Sequence, residues 1–133
     1  MSARALRHPL VSLLLLEVGC LAAPISSSRE PGTQFLIVAC NQAFHVRFSD
    51  ASQGARADSV VNGTLSGFVS GRLGHGDGGF NAPWHWYLKP ESTYVVQAAV
   101  EVCDGCPNTV EAGGFFQLGS YCPWSSRIVR REL

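Results

Sequence analysis

The stretch QFLIVACNQAFHVRF, residues 34–48, decides the fold. Its first half, Gln34 to Cys40, is a run of apolar residues with the length of a buried strand, and Asn41-Gln42 supply turn chemistry after it. Its second half, Ala43 to Phe48, alternates apolar and polar residues. A strand lays successive side chains on opposite faces, so Phe44, Val46 and Phe48 are expected in a core while His45 and Arg47 face water. Two such runs joined by a short polar turn predict an antiparallel hairpin.

Downstream, Asp50 can cap a helix over residues 51–61, where Ala51, Ala55, Val60 and Val61 offer a weak apolar face and Asn62-Gly63 end it. Leu65 to Leu73 predicts a strand, Gly74-His75-Gly76-Asp77-Gly78-Gly79 a long loop, and Trp84-His85-Trp86-Tyr87-Leu88 a return to strand before Lys89-Pro90-Glu91-Ser92 turns the chain. Thr93 to Cys103 reads as the most strand-like segment, with Val96, Ala98, Val100 and Val102 on one face. The predicted class is a small α+β domain, with a mainly antiparallel sheet, one or two short helices and disulfide stabilisation.

Upstream, residues 1–23 have the layout of a secretory signal peptide: Arg4, Arg7 and His8 form a charged start, Leu10 to Leu16 an apolar run, and Cys20 to Ala23 a small-residue exit. The run is shorter than the roughly 20 residues a spanning helix needs. Cys20 raises a lipid-anchored alternative, but Glu17 stands where a leucine would be expected, which favours cleavage to a soluble product. Residues 24–33 read as a flexible N-terminal segment and 34–133 as one domain. That domain carries Cys40, Cys103, Cys106 and Cys122, an even set that in an exported chain predicts disulfides; the residues themselves allow three pairings. With 46% hydrophobic and 15% charged residues and zero formal net charge, the composition argues for a folded core and gives no electrostatic basis for nucleic-acid binding or stable membrane insertion. The expected location is extracellular.

Candidate functional residues are few. Aromatic side chains offer large contact area at little entropic cost, so the binding candidates are Trp86 and Tyr87 with the polar neighbours His75, Asp77 and His85, facing an extracellular protein or a carbohydrate. Trp84 and Trp124 are expected in the core. His75, Asp77 and His85 fit no metal-ligand spacing, and no cofactor is expected. Glu101 and Asp104 are more readily structural, one of them fixing backbone N–H groups or pairing with Arg127, than an acid–base pair. Cys103-Asp104-Gly105-Cys106 has redox-dithiol spacing but sits near the end of a meandering chain, not after an early strand of a parallel βαβ unit. Asn62-Gly63-Thr64 is an N-glycosylation acceptor pattern, and the final Arg130-Arg131-Glu132-Leu133 lacks the start of a retention signal.

The succession Gly71-Arg72-Leu73, Asn81 to Pro90, Val100-Glu101-Val102-Cys103-Asp104-Gly105 and Tyr121-Cys122-Pro123-Trp124-Ser125-Ser126-Arg127 resembles the BP-seventy-four N-terminal domain family over about Gln34 to Leu133. The resemblance implies a small, mainly exported α+β domain and no particular activity. It also implies that Cys103 pairs with Cys122, which leaves Cys40, like Cys106 an addition to the family pattern, to pair with Cys106. The family usually places histidine where this chain has Tyr87. The functional expectation is an extracellular binding or inhibitory module; the alternatives are a small exported enzyme using Glu101 or His85, or a thiol-redox protein.

Overall fold

The computed structural model describes residues 33–132. The signal peptide expected over residues 1–23, Cys20 within it, and all but the last residue of the segment expected over 24–33 lie outside those residues.

Strands β1 (Gln34–Ala39) and β2 (Gln42–Arg47) form the expected antiparallel hairpin, with Gln34 opposite Arg47 and Ala39 opposite Gln42. The turn falls one residue earlier than expected, on Cys40 and Asn41. Both take positive φ, 51° and 59°, because a two-residue hairpin turn must match the right-handed twist of its strands. The last strand, β7 (Arg127–Glu132), pairs antiparallel with the other side of β1, giving the order β2-β1-β7. Phe44, Val46 and Phe48 are buried as the alternation requires. His45 and Arg47 lie on the opposite side, where they find partners: the His45 ring meets the Glu132 carboxylate at 3.1 Å, and the Arg47 Nε donates to Gln34 Oε1 at 3.0 Å.

Helix α1 (Ala51–Val61) begins at the Asp50 cap, whose carboxylate accepts from the Ser52 backbone N–H at 2.8 Å, and ends at Asn62 and the left-handed Gly63. Of the expected stripe of Ala51, Ala55, Val60 and Val61 only Val60 packs against the core, and the buried positions are Gly54 and Ala57. Ala57 belongs to the hydrophobic core, and Arg131 of β7 reaches the helix near Gly54: its guanidinium sits over the Phe35 ring at 4.9 Å and makes two bonds to Asp58, at 3.0 and 2.6 Å. A hydrogen bond from the Val95 backbone N–H to Gln53 Oε1, at 2.8 Å, ties the helix to the second sheet as well.

That sheet is organised by β3 (Phe68–His75), which pairs antiparallel with β4 (Trp86–Leu88), β5 (Tyr94–Val96) and the short β6 (Ser120–Tyr121). β3 starts three residues later than expected and runs on through Gly74 and His75. The segment from Thr93 to Cys103 departs most from expectation: only Tyr94–Val96 is strand, and after residues 97–100 the chain makes a 3-10 turn at Glu101–Cys103. Val100 and Val102 are therefore not on a buried strand face; each is 65% exposed. The reason is length. β3 begins at Phe68, which pairs with Val96, so Gln97 and the residues after it run past the end of β3 and have no rung to pair with.

Helix α2 (Pro107–Glu111) follows, with Pro107 at its first position, where a missing N–H costs nothing. Disulfides join Cys40 to Cys106 and Cys103 to Cys122, with Cα atoms 5.6 and 5.1 Å apart. The first ties the β1–β2 turn to the start of α2. The second lies in its own small cluster with Phe68.

Candidate functional site

Four of the five binding candidates gather at the far end of the β3–β4 hairpin with their side chains at least partly accessible. His75 stands opposite Trp86 in the ladder and Gly74 opposite Tyr87. The His75 ring stacks on Phe116, centroids 4.2 Å apart and planes 10° from parallel. Asp77 closes the turn, its carboxylate accepting the Gly79 backbone N–H at 2.8 Å. Tyr87 lies over the backbone of the glycine loop, with Phe80 edge-on at 5.7 Å. The glycines at 74 and 78 are thus packing residues for this ring.

His85 is highly exposed, its side chain 86% accessible, yet it is held on two sides by one carboxylate. Its backbone N–H donates to Glu111 Oε2 at 2.9 Å, and its ring Nδ1 lies 2.5 Å from Glu111 Oε1. These contacts, the backbone one first, hold the Glu111 carboxyl below the usual carboxylate range. The pair has the base-and-orienter form of an acid–base site, with Nε2 turned away from the carboxylate. Glu111 was not evident as His85's partner in the sequence, being 26 residues away on a helix too short to show periodicity.

Trp86 does not belong with the surface candidates. It is fully buried, packed against Phe44, Trp84 and Tyr121, and its indole N–H has no hydrogen-bond partner. It faces inward because it shares a strand face with Leu88, which is also fully buried. Trp84, expected in the core, is half-buried on that core, with its indole N–H donating to the Ala43 carbonyl at 2.8 Å. Trp124, also expected in the core, is 39% exposed.

Trp124 instead belongs to a surface that the sequence did not reveal. Together with Phe68, Gln97, Ala98 and Ala99 it lines a cavity of about 180 Å³, and the exposed Val100 and Val102 lie on the segment that continues from this wall. The rigid backing is the Cys103–Cys122 bridge with the Cys122 N–H to Cys103 carbonyl bond at 2.8 Å. Beside it, Tyr121 donates its hydroxyl to the Gly105 carbonyl at 2.7 Å, and burial, with the nearby Asp104 charge second, pushes that phenol far above its ordinary range. Asp104 accepts the Trp124 backbone N–H at 2.9 Å, the expected structural role for one of the two carboxylates. Glu101 is exposed on the 3-10 turn between Val100 and Val102.

Two observations concern the cysteines and the metal-ligating residue types. Cys103 and Cys106 each bond a different cysteine, so the redox dithiol expected as an alternative does not form. Among the described residues, no group of three or more His, Cys, Asp or Glu is placed to hold a metal ion. Asn62 is exposed at the end of α1, and the hydroxyl of Thr64, two residues on, donates to the Ser59 carbonyl at 3.2 Å.

A family model for the BP-seventy-four N-terminal domain matches residues 33–133. The chain belongs to the BP-seventy-four N-terminal domain family. Comparison with curated proteins and with solved structures returns no match. Within this BP-seventy-four N-terminal domain, Cys40–Cys106 and Cys103–Cys122 are the pairings that the family resemblance implied, and the α+β, disulfide-stabilised architecture is the expected one. Two disulfides are consistent with an extracellular setting, and among the described residues no helix is long and apolar enough to cross a membrane.

Proposed function

We propose that this BP-seventy-four N-terminal domain is a secreted binding module that engages a protein partner through the surface formed by Val100, Val102 and Trp124. The observation that carries this reading is the exposure of both valines on the segment that continues from the wall of an apolar cavity. Covering an apolar side chain that now faces water is worth about 1.5 kcal/mol or more each, and a rigid frame keeps the ordering cost of docking low. The disulfide beneath supplies that frame. The hairpin end is less suited to be the principal contact, since its rings and carboxylates already engage each other: His75 with Phe116, His85 with Glu111, Tyr87 with Phe80.

The test is comparative capture from the extracellular fraction of the source organism. The full chain should retain a partner that His75→Ala and His85→Ala also retain and that a Val100→Glu/Val102→Glu double variant loses while still folded. Loss in His85→Ala with retention by the valine variant would move the function to the hairpin end.

One observation favours a second reading. His85 is oriented by Glu111 as a general base would be, so a small exported enzyme using His85 is the alternative. Hydrolytic turnover that disappears in both His85→Ala and Glu111→Gln would establish it.

A further inference from the structure

The charges around the Val100–Trp124 surface are distributed unevenly along the chain. Between Lys89 and Arg127 the domain carries Glu91, Glu101, Asp104 and Glu111 and no lysine, arginine or histidine. Every cation of the described domain lies outside that stretch: Arg47, Arg56, Arg72, Lys89, Arg127, Arg130 and Arg131, with His45, His75 and His85. A formal net charge of zero for the whole chain therefore conceals an acidic segment, and that segment supplies all but Phe68 of the apolar cavity wall as well as both exposed valines.

Two carboxylates, Asp104 and Glu101, lie on this segment. Asp104 is bound through one oxygen to the Trp124 backbone N–H at 2.9 Å, which fixes its charge against the backbone of that exposed tryptophan. Glu101 lies in sequence between the two exposed valines, on the turn that Cys103 anchors, and is itself exposed. Arg127, the first cation downstream, opens β7 and lines a separate groove with Val60, Val61 and Leu65.

We infer that the surface docks a cationic protein segment: an apolar anchor side chain enters the cavity beside Trp124 while flanking lysine or arginine side chains meet Glu101 and Asp104. This rests on the binding-module reading and adds the partner's chemistry to it. Apolar contact supplies affinity, and carboxylates at the rim select the partner and reject acidic competitors, because like charges brought together at an interface are costly. A cavity of about 180 Å³ suits one side chain, not a small-molecule ligand of ordinary size.

The experiment uses the full chain and three synthetic fluorescent peptides followed by anisotropy at low and high salt. One carries a single leucine flanked on each side by two lysines, the second replaces the lysines with glutamates, and the third keeps the lysines and replaces the leucine with serine. The lysine–leucine peptide is expected to bind at least ten-fold more tightly than either of the others and to weaken as salt rises. Glu101→Lys should reverse the preference between the lysine and glutamate peptides, and Val102→Ser should weaken both without altering the preference. Equal binding of the lysine and glutamate peptides, lost in Val102→Ser, would overturn the charge selection and leave the docking surface standing. Binding of none of the three, or binding that Glu101→Lys and Val102→Ser both leave unchanged, would overturn the surface as well.

Discussion

Replacing the glycines under Tyr87 tests how the hairpin end is built. A Cβ placed on Gly74 would lie 2.5 Å from Cε1, 2.6 Å from Cζ and 2.9 Å from the hydroxyl of Tyr87; one placed on Gly78 would lie 2.5 Å from Cδ2 and 2.6 Å from Cγ. Carbon atoms in contact prefer about 3.5–4.0 Å, so both substitutions overpack the ring. They differ in how the strain can relax. Gly74 meets the outer edge of the ring, which can swing toward solvent, whereas Gly78 meets the edge attached to Cβ, which cannot. Gly78 also has φ of 63°, a region that costs an L-residue roughly 1–2 kcal/mol. Overpacking costs about 1–3 kcal/mol, which puts Gly74→Ala near the low end, about 1 kcal/mol, and Gly78→Ala at about 3 kcal/mol or above. In a Tyr87→Ala background the steric part vanishes, so Gly74→Ala should become neutral or slightly stabilising while Gly78→Ala retains roughly 1–2 kcal/mol. Urea denaturation of the parent and these variants, with unchanged m-values, measures the coupling. If both glycine substitutions cost the same with alanine at 87 as with tyrosine, the ring is not what those glycines accommodate.

Three further outcomes follow from the same geometry. Chain-entropy arithmetic for separations of 66 and 19 residues gives about 4 kcal/mol for removing Cys40–Cys106 and about 3 for Cys103–Cys122; because Cys103 and Cys122 are buried and Cys40 is exposed, the Cys103→Ala/Cys122→Ala variant should lose more than its loop length predicts, and equilibrium denaturation of the two double variants compares them. The Arg131 contact holds the Asp58 carboxyl below its ordinary value, so its stabilisation is complete above about pH 4 and is lost as pH falls below that; Asp58→Asn should cost about 1 kcal/mol or less at neutral pH, given the pair's partial exposure, and the difference from wild type should disappear toward about pH 2 in acid-titrated melts. Trp86→Phe leaves a small cavity but removes a buried N–H with no partner, so it should cost less than about 2 kcal/mol in thermal melts, below the about 3–5 kcal/mol typical of truncating a buried tryptophan to alanine.

Local patterns in the sequence were good guides wherever an element could be read within its own residues. Alternation in 43–48 placed Phe44, Val46 and Phe48 correctly, and Asp50 marked the helix start, because both signals are local. The buried side of α1 was not legible, since what it meets, the core around Ala57 and an arginine 73 residues beyond Asp58, comes from distant parts of the chain. The same limit explains Thr93 to Cys103. Its valine alternation is a genuine strand signal, but a strand needs a neighbour, and β3 has only three rungs for it. At the candidate sites, His75, Asp77, His85 and Tyr87 share a hairpin end because the loop and the strand are adjacent in the chain. Glu111 and Phe116, which hold the two histidines, come from elsewhere. Trp86 was misplaced because alternation states that neighbours face opposite ways without saying which way is inward. The exposed surface at Val100, Val102 and Trp124 went unseen for a related reason: hydrophobic residues in strand-like order read as core.

Hydrogen–deuterium exchange on the full chain, alone and saturated with the captured partner, tests the central claim most directly. Residues 97–104 and 122–126 should become protected on binding, while 75–80 and 84–87 keep their free-state exchange. Protection confined to 75–80 and 84–87, with 97–104 unchanged, would contradict the account.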